Sequence, residues 1–424
     1  MPHFLGYRCS LCQAEYLPDQ VRYTCPKDGG NLDVILDYAA LRARYRAEDI
    51  LSRAEPSIWR YLPLLPLGNP PGGEGTPFHV VGHTPIFTLP RLAEKLGLKT
   101  LWLKDESRNP TASFKDRASA LVVARAREIG ADVVVTASTG NAGAALAGMA
   151  AATGVQAVIF APRTAPPAKI AQLLIFGARV FLVDGTYDDA FDLTIQAANE
   201  FGWYCRNTGY NPFTAEGKKT AAFEIWEWWR GAHNAWHLLI GEGAEHAPLT
   251  IFVSVGDGNI ISGLHKGFKD LQELGWLTRM PRLIGVQARG SAAIAQAFHA
   301  RTEHLTPVKA ETIADSISVD LPRDGVRALR AARETGGTYL TVSDEEILAA
   351  IAELGKFGVF AEPAGAAAYA GLIVARRQGI IQAEDPVLVL NTGSGLKDVR
   401  AAMQAVPEAP IIEPSLDAVR RLLR

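Results

Sequence analysis

Asn109-Pro110-Thr111-Ala112-Ser113-Phe114-Lys115-Asp116-Arg117 joins a strand-like run, Thr100 to Lys104, to an alanine-rich, helix-favouring run, Ala118 to Ile129. Pro110 biases Asn109 away from helical backbone, and Thr111 and Ser113 are good N-cap residues, so the junction reads strand, turn, helix start. Lys115 then falls in the first helical turn beside free backbone N–H groups. Positive charge is disfavoured there, and an uncharged or covalently modified amine is favoured. That is the setting a Schiff-base lysine needs. An isolated Phe-Lys-Asp would read as a surface lysine paired with Asp116, so the weight rests on the rest of the chain.

Beyond Lys99 short apolar strands alternate with helices. Strand-like runs Val133–Thr136, Ala157–Ala161, Val180–Val183 and Trp203–Arg206 are separated by helical runs Asn141–Thr153, Ala168–Phe176 and Tyr187–Phe201. A second series begins with a helix over Glu216–Trp229 and carries strands Ile251–Val255, Leu283–Gln287, Thr338–Val342 and Val387–Asn391. This pattern predicts parallel sheets covered on both faces, in two α/β domains with a cleft between them. The Pro- and Gly-rich run Leu62 to Pro77 reads as loop. The aromatic run Phe223 to Trp236 reads as core or interface packing rather than a ligand box.

Ligands of open parallel sheets collect at the carboxyl ends of strands. Three polar, glycine-marked turns fall at such ends: Ser138-Thr139-Gly140-Asn141, Gly256-Asp257-Gly258-Asn259 and Asn391-Thr392-Gly393-Ser394-Gly395. The first suits a carboxylate at a helix N-terminus, and the second has the makings of a phosphate nest. No Gly-x-Gly-x-x-Gly stands after a first strand, so a dinucleotide site is poorly supported.

The N-terminal stretch, Cys9-Ser10-Leu11-Cys12 to Cys25-Pro26-Lys27-Asp28, has the look of a zinc ribbon with two ligand-bearing knuckles. Asp28 stands where a fourth cysteine is expected. Cys9, Cys12, Cys25 and Asp28 are therefore candidate metal ligands. A structural site of three thiolates and one carboxylate is uncommon, so zinc is possible but a metal-free relic is expected.

The 424 residues suffice for two or three domains, and 43 basic against 45 acidic side chains leave a net charge of −2. Nothing in that balance calls for a nucleic acid or a membrane surface as partner. Four cysteines do not suggest a disulfide scaffold. Ala142 to Ala152 is too short to span a bilayer, and Met1 to Leu11 lacks a signal-peptide core, so a soluble cytoplasmic protein is expected.

Asn109 to Arg117, Ser138 to Asn141, Val255 to Gly258, Glu362-Pro363-Ala364 and Thr392 to Asp398 stand in the order found in threonine synthase, and the chain resembles that family from the cysteine stretch to about Val399. The resemblance implies a fold type II, tryptophan-synthase-β-like pyridoxal-phosphate enzyme: two open parallel-sheet α/β domains behind an N-terminal cysteine ribbon. It implies segments of 1–36 (ribbon), 37–114 (first part of the large domain), 115–210 (smaller domain) and 211–424 (large, cofactor-binding domain). It implies that Lys115 carries pyridoxal phosphate and acts as general base at Cα, that Asn141 bonds the cofactor's 3′-oxygen, and that Thr392 faces its pyridine nitrogen. Gly256, Asp257, Gly258, Asn259 and Ile260 would cradle the cofactor phosphate, and Ser138, Thr139 and Gly140 would bind the substrate's α-carboxylate. The implied reaction converts O-phosphohomoserine and water to threonine and phosphate, in a protein that is commonly a homodimer.

Two positions depart from the family pattern. Thr214 stands where an arginine usually meets the leaving phosphate, and Ala142 stands where a hydroxyl often follows the cofactor asparagine. Asn207, Thr208 and Lys218 are the candidate replacements; Lys218 and Lys219 could equally be exposed residues on a first helical turn. A changed substrate is the alternative, with β-replacement or β-elimination on O-phosphoserine, serine or threonine, as in cysteate synthase or the dehydratases.

Overall fold

The computed structural model describes residues 3–68, 72–138, 140–165, 167–240 and 247–423. The strands in chain order are β1 (Phe4–Cys9), β2 (Glu15–Tyr16), β3 (Leu32–Leu36), β4 (Ile86–Thr88), β5 (Leu101–Asp105), β6 (Val133–Ala137) and β7 (Gln156–Pro162). They continue as β8 (Arg179–Val183), β9 (Tyr204–Cys205), β10 (Thr250–Ser254), β11 (Arg282–Ala288), β12 (Thr338–Val342) and β13 (Val387–Asn391). A small antiparallel sheet runs β2-β1-β3, a six-stranded sheet β12-β11-β10-β13-β5-β4, and a four-stranded sheet β8-β7-β6-β9.

Both large sheets are parallel except for the edge strand β4, which runs antiparallel to β5. Every residue of β5, β10 and β13 is buried, as a strand covered by helices on both faces requires. Apolar residues at successive positions, rather than alternate ones, are what place these three strands at the sheet centre. In the outermost strand β8 every residue is exposed or partly exposed, as at an edge. Among the described residues no helix is long and apolar enough to cross a membrane.

The helix Lys115–Glu128 is fixed by a buried charge cluster immediately after Lys115. Arg117 Nε and Nη2 donate to the two Glu106 carboxylate oxygens at 2.7 and 2.8 Å, and Nη1 and Nη2 donate to Glu224 at 2.5 and 2.7 Å. Lys104 Nζ adds a 2.7 Å bond to Glu224, and the Thr84 hydroxyl donates to Glu106. All five side chains are buried. A planar guanidinium fork meets two carboxylates with paired hydrogen bonds to each, a geometry that an ammonium's point charge does not reproduce. Arg117→Met is therefore expected to lower unfolding free energy by about 3–5 kcal/mol, because it leaves two buried carboxylates with a single lysine. Urea unfolding monitored by fluorescence measures it, and a loss under about 1 kcal/mol would show that the cluster is incidental.

Several local expectations are corrected. Neither Thr111 nor Ser113 caps the Lys115 helix: its N-cap is Phe114, with no side-chain cap. The Thr111 hydroxyl instead donates to Asp116, and the Ser113 hydroxyl is buried without a partner. The helix expected over Glu216–Trp229 is two helices, Phe213–Lys218 and Thr220–Ile240. The expected strand Trp203–Arg206 shrinks to the two residues of β9. The start of the Pro-rich loop belongs to a 3-10 helix, Ile58–Leu64, and 69–71 of that run lie outside the described residues. In the aromatic run, Phe223 and Trp226 are buried and Trp228 and Trp229 pack edge-on against Trp102, which is core packing; the Trp236 side chain lies outside the described ones.

Candidate active site

A cavity of about 360 Å³ opens where the carboxyl ends of β6 and β10 face each other. Lys115, Ser138, Gly140, Asn141, Thr208, Lys218 and the whole run Gly256 to Ile260 line it, which brings together most of the residues singled out by sequence. Thr139 lies outside the described residues. Asn207 and Thr392 are not among the lining residues.

Lys115 is placed by backbone ties on its N-terminal side. Phe114 N–H donates to the Thr392 carbonyl at 2.9 Å, and Ser113 forms an isolated bridge with Gly393, so the last glycine-rich turn supports the lysine from behind. That is the observed role of Thr392. Burial lowers the Lys115 pKa from its usual value, and the Arg206 charge adds to that, against the opposing pull of Glu362 and Asp257. The amine is thus more easily freed of its proton than a surface lysine.

Asp116 does not pair with Lys115. Its carboxylate accepts from the Thr111 hydroxyl and, at 2.7 Å, from the Thr111 N–H. Burial raises its pKa from 3.8 to about 6 despite those bonds. A raised carboxyl means that the folded chain keeps a proton the unfolded chain releases. Its contribution to stability is present below the unfolded value and is lost as pH rises through about 6. The unfolding free energy of Asp116→Asn relative to the parent is expected to rise across that window and level off above it. A difference independent of pH between about 4 and 7 would contradict this.

The turn after β10 lies flat because its glycines have no room for side chains. A Cβ on Gly256 would stand 2.8 Å from Ile317 Cα, and Gly258, at φ +92°, would bring one to 2.7 Å from Ala328 Cβ. The positive φ also favours glycine on conformational grounds. Asn259 starts the helix Asn259–Glu273, so consecutive N–H groups of a glycine turn and a helix N-terminus meet at one point. The Asp257 carboxylate accepts the Arg323 N–H at 3.2 Å.

Lys218 and Lys219 are buried, not exposed. Lys219 pairs with Glu216 and Asp270, whereas Lys218 Nζ meets only the Asn259 carboxamide oxygen, at 2.6 Å, and has no carboxylate ion pair among the described residues. Burial, followed by the charges of Lys115 and Arg206, drives its pKa well below that of an ordinary lysine. A flat N–H cradle beside an uncompensated buried ammonium fits a phosphate dianion.

On the opposite wall, the Ser138 hydroxyl accepts from Gly140 N–H at 3.2 Å and Gly143 N–H at 2.9 Å, at the start of the helix Asn141–Thr153. Asn141 Nδ2 donates to Glu362 Oε1 at 2.7 Å and to the Ser316 hydroxyl at 3.3 Å. Asn207 is folded back onto β6, where its oxygen accepts from Ala137 N–H at 2.8 Å and the Thr136 hydroxyl at 3.1 Å, and its Nδ2 is buried without a partner. Thr214 points its hydroxyl at the Asn211 carbonyl, 2.7 Å away, so it takes no part in the cavity; Ala142 does line it.

Sequence reasoning missed Arg206. Its side chain is fully buried, donates from Nε to Ser119 Oγ at 3.2 Å and from Nη1 to Thr208 Oγ1 at 2.7 Å, and leaves Nη2 without a partner. No carboxylate pairs with it among the described residues, and burial lowers its pKa to about 10. The available signal was a charged residue inside a short buried strand end, directly before Asn207-Thr208. Arg206 is not itself among the lining residues but holds the lining Thr208; Tyr187, Asp315 and Ser316, which do line the cavity, carried no comparable mark. The cysteine group is elsewhere: none of Cys9, Cys12, Cys25 and Asp28 lines this cavity.

Comparison with known proteins agrees with this geometry. The family model for pyridoxal-phosphate dependent enzymes matches residues 78–393. A threonine synthase from Methanocaldococcus jannaschii is 37% identical over 98% of this chain and 99% of its own length. A threonine synthase from Synechocystis is 35% identical over 84% of this chain and 88% of its own. Among solved structures, O-ureido-L-serine synthase superposes with a TM-score of 0.65 at 19% identity, covering 82% of this chain and 99% of that one. Threonine deaminase isoform 2 from Solanum lycopersicum gives 0.64 at 22% identity, over 81% and 97%. At that identity the two structures speak to the fold alone.

Proposed function

We propose that this chain, which belongs to the pyridoxal-phosphate-dependent enzymes and among them to the threonine synthases, converts O-phosphohomoserine and water to threonine and inorganic phosphate. The observation that carries the reading is a pair of buried basic side chains without carboxylate partners among the described residues: Lys218, which lines the cavity, and Arg206, bonded to the lining Thr208. One cation is enough for a cofactor phosphate. A second, directly behind the lining Thr208, calls for another anionic group, and a phosphorylated substrate supplies one.

The residues divide the work as follows. Gly256, Asp257, Gly258, Asn259 and Ile260 hold the cofactor's phosphate through their N–H groups, with Lys218 as its counter-charge; the bond from Lys218 to Asn259 favours this over the substrate role expected from sequence. Asn141, steadied by Glu362, is available to the cofactor's ring oxygen. Ser138 and Gly140, at a helix N-terminus, receive the α-carboxylate. Thr208 lines the cavity and receives the leaving phosphate; Arg206, bonded to its hydroxyl, and Asn207, with its free Nδ2, are adjoining donors that the lining does not include. When bound, the cofactor withdraws electrons from Cα, which makes the Cα proton removable. Lys115 Nζ, with its lowered pKa, takes that proton and returns it.

The strands β6–β9 and the remaining α/β strands form separate sheets, which supports the division into a smaller domain (115–210) and a large one (37–114 with 211–424). A homodimer in the cytoplasm is the matching proposal for the whole protein, and light scattering on a sizing column decides the oligomeric state. The activity is tested by giving the cofactor-loaded protein O-phosphohomoserine and following both products. Threonine and phosphate released in equal amounts are expected. Turnover of O-phosphoserine, serine or threonine in place of O-phosphohomoserine would overturn the assignment.

A further inference from the structure

The N-terminal sheet brings three thiols and one carboxylate to a point. The ligating atoms of Cys9, Cys12, Cys25 and Asp28 all lie within 4.8 Å of one another. Cys12 Sγ and Cys25 Sγ are 3.7 Å apart, and Cys9 Sγ is 3.3 Å from Asp28 Oδ1. A tetrahedral zinc ion with ordinary bond lengths sets edges of roughly 3.7 Å between sulfurs and roughly 3.5 Å between sulfur and oxygen. No disulfide joins these thiols, and all three are free.

The surroundings are built for this group. Leu11 N–H donates to Cys9 Sγ at 3.3 Å, the Tyr16 hydroxyl meets Cys25 Sγ at 3.1 Å, and Gly30 N–H orients Asp28 Oδ1 at 2.9 Å. A Cβ on Gly30 would fall 2.6 Å from Cys9 Sγ, so only glycine leaves the cluster room. Cys9 and Cys25 are buried while Cys12 and Asp28 are exposed, which gives an ion a way in from solvent.

What the sheet touches is the loop over 205–210. The Tyr23 hydroxyl, two residues before Cys25, accepts the Cys205 N–H at 2.9 Å, and the Tyr23 ring stacks on Tyr210 with centroids 4.7 Å apart. Asn31, three residues after Asp28, donates to the Gly209 carbonyl at 2.6 Å and to the Arg323 carbonyl at 3.0 Å. The two residues that grip this loop at its ends thus flank the second knuckle. Between the grips lie Arg206, Asn207 and Thr208.

We propose that Cys9, Cys12, Cys25 and Asp28 bind one zinc ion, and that this ion clamps the 205–210 loop beside the cavity. Carboxylate for thiolate at the fourth position leaves a complete donor set, so the expectation of an empty relic is reversed. The clamp's effect on substrate rests on the function proposed above; the metal site does not.

Elemental analysis of the holoenzyme purified from zinc-containing medium is expected to find about one zinc per chain, with a shell of three sulfurs and one oxygen by X-ray absorption. Cys12→Ala should lose the metal and Asp28→Cys should keep it, which separates loss of ligand from loss of fold. No stoichiometric zinc and no uptake on titration, or a Cys12–Cys25 disulfide in the native protein, would overturn the site. Removing zinc by chelation should speed hydrogen exchange in 205–210 and raise the KM for O-phosphohomoserine roughly five- to tenfold, with the cofactor's visible absorbance unchanged. Unaltered exchange after zinc removal would overturn the clamp. Zinc present with no turnover of O-phosphohomoserine would count against the proposed reaction alone.

Discussion

Lys115→Ala is expected to give a folded but colourless protein with no measurable threonine production. Lys115 makes no hydrogen bond or ion pair among the described residues, so truncation breaks no network, and its neighbour Arg117 keeps the helix start in place. Two losses combine at the cavity. The amine that would hold the cofactor covalently is gone, and with it the characteristic visible absorbance. On the proposed reaction the base at Cα would be gone too, which by itself costs about 10²–10⁴ in rate. The urea midpoint should stay near that of the parent, and Lys115→Arg should be equally colourless, because a guanidinium keeps its proton and cannot form the imine. A yellow Lys115→Ala protein that still makes threonine would remove Lys115 from the mechanism.

Arg206→Met is expected to separate stability from activity. In the resting fold Arg206 is a buried cation with two hydroxyl partners, no carboxylate and one orphan nitrogen. Replacing it with an apolar side chain of similar length removes a desolvation cost, so the unfolding midpoint should hold or rise. Charge-assisted hydrogen bonds to a phosphate contribute about 1.5–3 kcal/mol each, so kcat/KM for O-phosphohomoserine should fall about 10- to 100-fold. The cofactor's absorbance and retention should be unaffected. Lys218→Gln should behave in the opposite way, weakening cofactor retention on dialysis before it affects substrate selectivity. If Arg206→Met lowers the midpoint and leaves kcat/KM alone, Arg206 is a structural residue and the leaving phosphate is met elsewhere.

The sheets and the glycine turns were legible because each rests on a local rule. The apolar cores of β10 (Ile251 to Val253) and β13 (Val387 to Leu390) pointed to buried parallel strands, and three glycine turns at strand ends together pointed to close approach or positive φ. Lys115 could not be singled out locally, since the junction alone reads as a surface lysine; only its company with the three glycine turns marked it. What sequence could not supply was partnership across distance. Asp116 looked like the natural partner of Lys115 and is bonded to Thr111. Thr111 and Ser113 had cap chemistry, but the turn had other uses for both. Lys218 and Lys219 look alike in sequence, yet one finds Glu216 and Asp270 and the other finds only Asn259. Arg206 went unremarked because a buried arginine is read from its missing partners, and missing partners are a property of the folded chain.

The charge cluster around Arg117 also dictates an order of events during synthesis. Its members come from four separated places, at residues 84, 104–106, 117 and 224. Until Glu224 has left the ribosome, Arg117 has half its carboxylate acceptors and Lys104 has only the more distant Glu106, at 3.8 Å, so burying that helix start is unfavourable. More than half of the 424-residue chain must therefore emerge before Lys115 is locked into place. A nascent chain cut short of that point carries the reactive lysine but not the pocket, and it gives an aldehyde cofactor no premature home.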